Sequence, residues 1–205
     1  VTYTRPMGYY LFDHPQAVQQ YHPSRIGSGW TGGVLVHTAE NVMDNVGPDT
    51  GAENVASFIT RRTDYGSYHL LADSDSVIEM LPPTATAFHC GASGYNSTTV
   101  GVSYACRTVD LAPDSAWFRS ATDRLAGVLV RWWRDAGFDP RQARFIAAPD
   151  TRVRFGLSTH GEAQPADRSD AWTRRPDRGR LEGVFLDAIM RAAGGPQPVP
   201  EDDEM

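Results

Sequence analysis

The chain has 205 residues, 40% of them hydrophobic, enough for one domain with a sizeable core. Its formal charge of −6 argues against a general nucleic-acid binder, and no apolar run is long enough to span a membrane. All 19 basic residues are arginine, so any cation this protein brings to a substrate must be a guanidinium.

Residues 1–27 are rich in Tyr, Pro and His and show no period, so they are expected to be an irregular segment laid over the domain. The first strand is predicted at 32–37, in "GGVLVHTAEN", an apolar β-branched run that ends on His37. Taken alone, such a histidine is a metal ligand, a catalytic base or a core residue with satisfied hydrogen bonds, and the last is the ordinary case. Residues 51–62 carry apolar positions at helical spacing, with Asp49 or Thr50 as the cap. "SYHLLAD" (67–73) and "SVIEML" (76–81) read as a hairpin turning at Ser74 and Asp75.

"TTVGVSYAC" (98–106) is the next predicted strand, with Gly101 inside it. Residues 114–137 are the strongest helix: Leu125, Val128, Leu129, Trp132 and Trp133 recur at helical spacing, Asp114 or Ser115 caps it and Gly137 stops it. "ARFIAA" (143–148) reads as a short strand and 179–193 as a last amphipathic helix. The order β-α-β-β-β-α-β-α predicts an α/β fold, a single mixed central sheet flanked by helices. The domain is expected over 28–194. The Gly-, Pro- and acid-rich tail 195–205 has linker composition, as if joined to another module. Cys90 and Cys106 lack metal-ligand spacing and are expected to be reduced thiols.

Partners for His37 come from two loops. His89 lies in "AFHCGASGYN", and His160 opens "HGEAQPADRSDAW", which also holds Asp167 and Asp170. A catalytic zinc takes three ligands from His, Cys, Asp and Glu and leaves a position for water, so a strand-end His and a His–Asp loop can supply a site. The spacing alone is a weak signal.

The ordered set resembles the zinc N-acetylmuramoyl-L-alanine amidases of the type 2 class, which include phage amidase endolysins and peptidoglycan recognition proteins. The resemblance runs from about Gly32 to Trp172. "GGVLVHTAEN" is similar to the family's first-ligand strand, and "GSYHLLADSDSVIEMLPPTATAFHCGASGYN" to its hairpin and following loop. "NSTTVGVSYA" resembles an "N-x-x-S-I-G-I-E" strand, and "THGEAQPADRSDAW" a final loop in which Cys or Asp follows the second His.

The resemblance implies an amidase type 2 fold and Zn²⁺ held by His37, His160 and Asp170. It implies catalytic roles for Arg168 and Tyr68, and a substrate groove lined by His89, with Tyr95, Asn96 and Trp172 as further contacts. It implies hydrolysis of the bond between N-acetylmuramic acid and L-alanine in peptidoglycan by a monomer that lyses a bacterial host. No basic region followed by an apolar stretch is visible, so the expected location is the host cytoplasm until lysis, then the wall. Stable membrane insertion and nucleic acid are not expected.

Two departures from the pattern matter. Ser103 stands where some members carry the glutamate that is one proposed general base, which leaves Glu40 as another candidate; and "DAW" replaces "DPG" after the last ligand. A recognition domain that binds peptidoglycan without cutting it is the competing reading, marked in the family by loss of a ligand. A serine hydrolase is disfavoured because no G-x-S-x-G elbow is present. A structural zinc site would need a fourth ligand.

Overall fold

The computed structural model describes residues 9–11, 20–27, 29–44, 48–62, 66–147 and 153–194. In chain order the elements are β1 (Tyr9–Leu11), β2 (Tyr21–His22), β3 (Gly33–Thr38), α1 (Gly51–Arg61), β4 (Leu70–Ala72), β5 (Val77–Glu79), β6 (Thr86–Ala87), α2 (Ser93–Thr98), β7 (Thr99–Tyr104), α3 (Ala116–Asp135), β8 (Gly156–Thr159), α4 (His160–Ala163) and α5 (Arg178–Ala192). A six-stranded sheet runs β1-β5-β4-β7-β3-β8, and β2 pairs with β6 in a separate ribbon. The β4–β5 hairpin is antiparallel, and the other pairs of the large sheet are parallel. This is the mixed sheet expected.

Period-two alternation sorts the strands between two faces. Val34 and Val36 of β3 and Val100, Val102 and Tyr104 of β7 point into the larger core. There they meet Phe118, Leu125, Leu129 and Trp133 of α3 and Phe185 and Ile189 of α5. On the opposite face, Leu71 and Ile78 pack against Ala52, Val55 and Ile59 of α1. The residues between the core positions of β3 and β7 therefore face away from α3 and α5: Leu35 and His37, and Thr99, Gly101 and Ser103. The parallel register sets His37 beside Ser103. All of them are buried.

Local chemistry fixes the ends of the helices. Ser115 caps α3 by accepting from the Phe118 N–H at 3.1 Å, and Gly137, at φ 82°, takes the left-handed turn that stops it. At α1 neither predicted cap works alone. Thr50 makes no capping bond. Instead Asp49 Oδ1 accepts from Gly51 N–H at 3.0 Å and Asp73 Oδ2 from Ala52 N–H at 2.8 Å.

Four differences from the expectation have physical reasons. The segment 1–27 is not wholly irregular: β1 extends the sheet edge beside β5, and β2 pairs with β6. The expected strand 143–148 makes only an isolated bridge, Phe145 to Leu157. The strand that pairs with β3 on the side away from β7 is β8, whose sequence Gly-Leu-Ser-Thr carries a single large apolar residue. The loop regions around Gly94 and His160 contain the short helices α2 and α4. The tail 195–205 lies outside the described residues. Among the described residues, no helix is long and apolar enough to cross a membrane.

Candidate metal centre and substrate groove

His37 is the fifth residue of β3 and is fully buried. β8 pairs with β3 up to Thr159 opposite Val36, so the next residue, His160, emerges beside His37. The loop after α4 then brings Asp170 back. His37, His160 and Asp170 each offer one ligand atom, and these atoms lie within 4.8 Å of one another. Among the described residues this is the one such group, and it is the trio expected. Asp167, the other acid of the loop, is exposed and outside the group.

Hydrogen bonds determine which atoms of the trio face inward. His160 places Nε2 at 2.7 Å from Gln164 Oε1, an oxygen that also accepts the Gly91 N–H at 3.0 Å. His160 Nε2 must therefore donate. His160 Nδ1 is left 3.3 Å from Asp170. His37 Nδ1 lies 3.5 Å from the same carboxylate and is buried without a hydrogen-bond partner.

Two imidazole nitrogens and a carboxylate oxygen thus point lone pairs at one spot. A cation between them resolves that arrangement, either a proton on an imidazole Nδ1 or a metal ion. The charges agree. Burial alone would lower His160, yet Asp170, Cys90 and Gln164 raise it to about 9. Burial alone would raise Asp170, yet His160 and His37 hold it well below the usual carboxylate range. Burial, helped by His160, pushes His37 down to about 4. Two nitrogens and one carboxylate oxygen are a donor set suited to a divalent transition metal, with room for further ligands on the open side.

That side opens onto a groove of about 930 Å³. Tyr68, half-buried, lines it with its ring centroid 5.2 Å from that of His37. Burial, then Asp170, pushes the phenol up to about 12, with a hydrogen bond to Ser103 pulling the other way. Arg168 is exposed on the groove wall, on the loop that delivers Asp170. Glu40 also lines it, but its Oε1 is occupied: it accepts from the Thr38 hydroxyl at 2.5 Å and from Thr108 N–H and hydroxyl at 3.0 and 2.8 Å. Glu40 is thereby a strap between the end of β3 and the turn at Thr108.

The four expected substrate contacts separate. Trp172 has no exposed surface. It is packed with Tyr104, Phe118, Phe145 and Phe185, under the loop rather than on the groove. Tyr95 is also buried, against Leu35, Cys90 and Val153. Asn96 lines the groove, but its side chain is spent bridging both backbone groups of Cys90, at 2.8 and 2.7 Å. His89 lines the groove as well, and its Nδ1 lies 3.1 Å from His37 Nε2.

Sequence reasoning missed Gln164. Its spacing of four from His160 on a helical turn was the available signal.

Both cysteines are free and buried. Cys106 sits in the larger core, where burial pushes its thiol well above the usual range. A Cys90→Ser, Cys106→Ser double variant should keep the wild-type metal content, measured by atomic emission. Metal loss with an unchanged circular dichroism spectrum would make one of them a ligand.

A mixed sheet that presents two buried histidines and a part-buried aspartate at the floor of an open groove has a donor set that could hold a metal ion. Residues 28–180 match the family model described as N-acetylmuramoyl-L-alanine amidase, and the chain belongs to that family. Its activity is accordingly that of an amidase acting on peptidoglycan. No curated protein matches the sequence.

Among solved structures, the chain is similar to the Staphylococcus aureus hydrolase AmiA in complex with its ligand, at 16% identity and a TM-score of 0.65, covering 97% of this chain and 90% of that one. It is similar to the PlyG catalytic domain at 17% identity and a TM-score of 0.55, covering 93% and 95%. It is also similar to a mutant endolysin from Bacillus subtilis at 14% identity and a TM-score of 0.51, covering 89% and 99%. At these identities the likeness is one of fold.

Proposed function

We propose that the protein is a zinc-dependent N-acetylmuramoyl-L-alanine amidase that serves as a phage endolysin. In this role it waits in the host cytoplasm as a monomer and cuts the wall at lysis. The observation that carries the zinc reading is the convergence of His37 Nδ1, His160 Nδ1 and an Asp170 oxygen, three electron-pair donors with no proton donor between them but His160 itself. All three ligands are present, which favours an enzyme over a recognition domain that binds peptidoglycan uncut. The endolysin role is supported by the family and by the likeness to the Bacillus subtilis endolysin.

His37, His160 and Asp170 would hold the zinc, which when bound supplies a Lewis acid for the scissile carbonyl and an activated water at neutral pH. The chain's own residues do the rest. The groove orients the glycan–peptide against the trio. Arg168, on the wall beside Asp170, offers a permanently charged donor to the oxyanion that develops as the amide is attacked. A guanidinium holds such a charge but does not relay a proton. Tyr68, its ring beside that of His37, presents a phenol that is protonated at neutral pH, so it offers a second hydrogen-bond donor toward the reacting carbonyl or the leaving amine.

Arg168→Ala should lower kcat by about 10²-fold, the usual cost of losing one oxyanion donor, with zinc content and melting temperature unchanged. Arg168→Lys should recover part of the rate. Cutting at the wild-type rate by Arg168→Ala, at equal zinc occupancy, would make the residue a solvated loop charge.

The zinc reading is tested by stripping the protein with a chelator and following wall turbidity. Lysis should stop and return with added zinc. Undiminished lysis by a metal-free chain would end this reading.

A further inference from the structure

The two ligand histidines present the same ring nitrogen, and the reason lies behind them. Behind His37 stands His89, with Nδ1 at 3.1 Å from His37 Nε2 and Nε2 at 3.3 Å from Thr99 Oγ1. The Thr99 hydroxyl donates to the Tyr95 carbonyl at 2.7 Å. A carbonyl only accepts, so the direction of the whole chain is fixed from that end. Thr99 gives its proton to Tyr95 and can therefore only accept from His89. His89 must carry its proton on Nε2, which leaves Nδ1 bare. That bare nitrogen takes the proton of His37 Nε2, and His37 Nδ1 is left as a lone pair facing Asp170 and His160.

Behind His160 stands Gln164. The Gly91 N–H, which can only donate, marks the contacting atom of Gln164 as its oxygen, and that oxygen takes the His160 Nε2 proton. The same oxygen accepts the Cys90 thiol at 3.3 Å, so Gln164 ties the second ligand's helix to the loop that carries His89.

The fold makes room for this arrangement. A side chain at Gly101 would put its Cβ 2.3 Å from His89 Cγ, so the His89 ring fits over β7 only because residue 101 is glycine. His69 packs behind it, with ring centroids 6.0 Å apart. Its Nδ1 accepts the Gly101 N–H at 3.0 Å, which pins the strand where the ring lies closest.

We infer that His89, backed by Thr99, and Gln164 are positioning residues for the metal centre: each takes the Nε2 proton of one ligand histidine and so turns that ligand's Nδ1 toward the metal. This inference rests on the zinc reading above. It gives His89 a role other than the substrate contact expected from the sequence, and it explains why a glutamine follows His160 by one helical turn. Both acceptors are neutral, so they orient the ligands without adding negative charge beside Asp170.

The test uses the full chain. Long-range ¹H–¹⁵N spectra of the metal-free protein at neutral pH read which nitrogen of His37 carries the proton. It should be Nε2 in the wild type and in His89→Asn, whose carboxamide oxygen stands where Nδ1 stood. His89→Leu should show a mixture. Zinc dissociation constants, from competition with a chromogenic chelator, should rise roughly ten- to hundredfold in His89→Leu and Gln164→Leu, the usual cost of losing a group that orients a ligand. They should stay near wild type in His89→Asn and Gln164→Glu. Melting of each metal-free variant identifies any fold defect.

A proton on His37 Nδ1 in the wild type, or leucine variants that bind zinc as tightly as the wild type, would overturn the inference. A wild-type chain that binds no zinc would remove the metal reading instead, and the His37 proton would still decide this one.

Discussion

His37→Ala should abolish both bound zinc and lytic activity. The substitution removes one of three ligand atoms from a site whose other two, on His160 and Asp170, are already paired with each other through 3.3 Å contacts. Two ligands do not make the closed side of a catalytic zinc site. The variant should collapse to the His160–Asp170 ion pair. A second signature follows from linkage. An ion that binds the native state alone raises the melting temperature with its concentration. Added zinc should therefore raise the melting temperature of the wild type and leave that of His37→Ala unmoved. The metal-free variant should also be less stable than the metal-free wild type by about 1–3 kcal/mol, because His89 Nδ1 loses its buried donor. Stoichiometric zinc in purified His37→Ala would refute the ligand assignment.

Trp172→Ala should be among the most damaging substitutions for stability, costing about 3–5 kcal/mol, as buried aromatic deletions do. Its ring is fully buried and meets four aromatic neighbours contributed by β7, α3, α5 and the segment at Phe145. Because Trp172 lies two residues after Asp170, it also anchors the ligand loop to the core. Trp172→Phe keeps most of the apolar contact and loses no hydrogen bond, since the indole N–H is unpartnered. It should retain the wild-type KM and most of the stability. A large rise in KM in Trp172→Phe with an unchanged melting temperature would return the residue to the groove. Denaturant unfolding and substrate titration of the two variants make the comparison.

The elements read correctly were those whose own side chains state their environment. β3 is an apolar, β-branched run, β7 alternates apolar residues with small ones, and α3 repeats its apolar residues through five turns with a cap and a glycine stop. The position of His37 at the end of a strand follows directly, whereas the pairing of β3 with β7 is set by the tertiary fold. β8 was hidden because it is four residues long, with one large apolar residue and a glycine, too little for a pattern to show. Its extended form is imposed by pairing with β3, a tertiary cause invisible in a four-residue window.

In the site, the grouping of His37, His160 and Asp170 was legible through the family resemblance, since the spacing alone is a weak signal. The groove was not. Trp172 and Tyr95 read as surface aromatics for a sugar, and nothing local told that the loop after Asp170 turns its tryptophan inward over α3 and α5. His89 read as a groove residue because its partner, His37, is 52 positions away. Glu40, a candidate base by its place three residues after His37, has Oε1 engaged by Thr38 and Thr108, contacts that no local pattern announces.

The central claim is that this groove and its metal trio cut the bond between N-acetylmuramic acid and L-alanine. Mass spectrometry of purified peptidoglycan digested with the zinc-loaded chain tests it most directly. The account predicts free stem peptides beginning with an unblocked L-alanine amine, glycan strands bearing free lactyl carboxylates, no new reducing ends, and none of these products after chelation. New reducing ends, cleavage within the stem peptide, or an intact wall in the presence of zinc would contradict it.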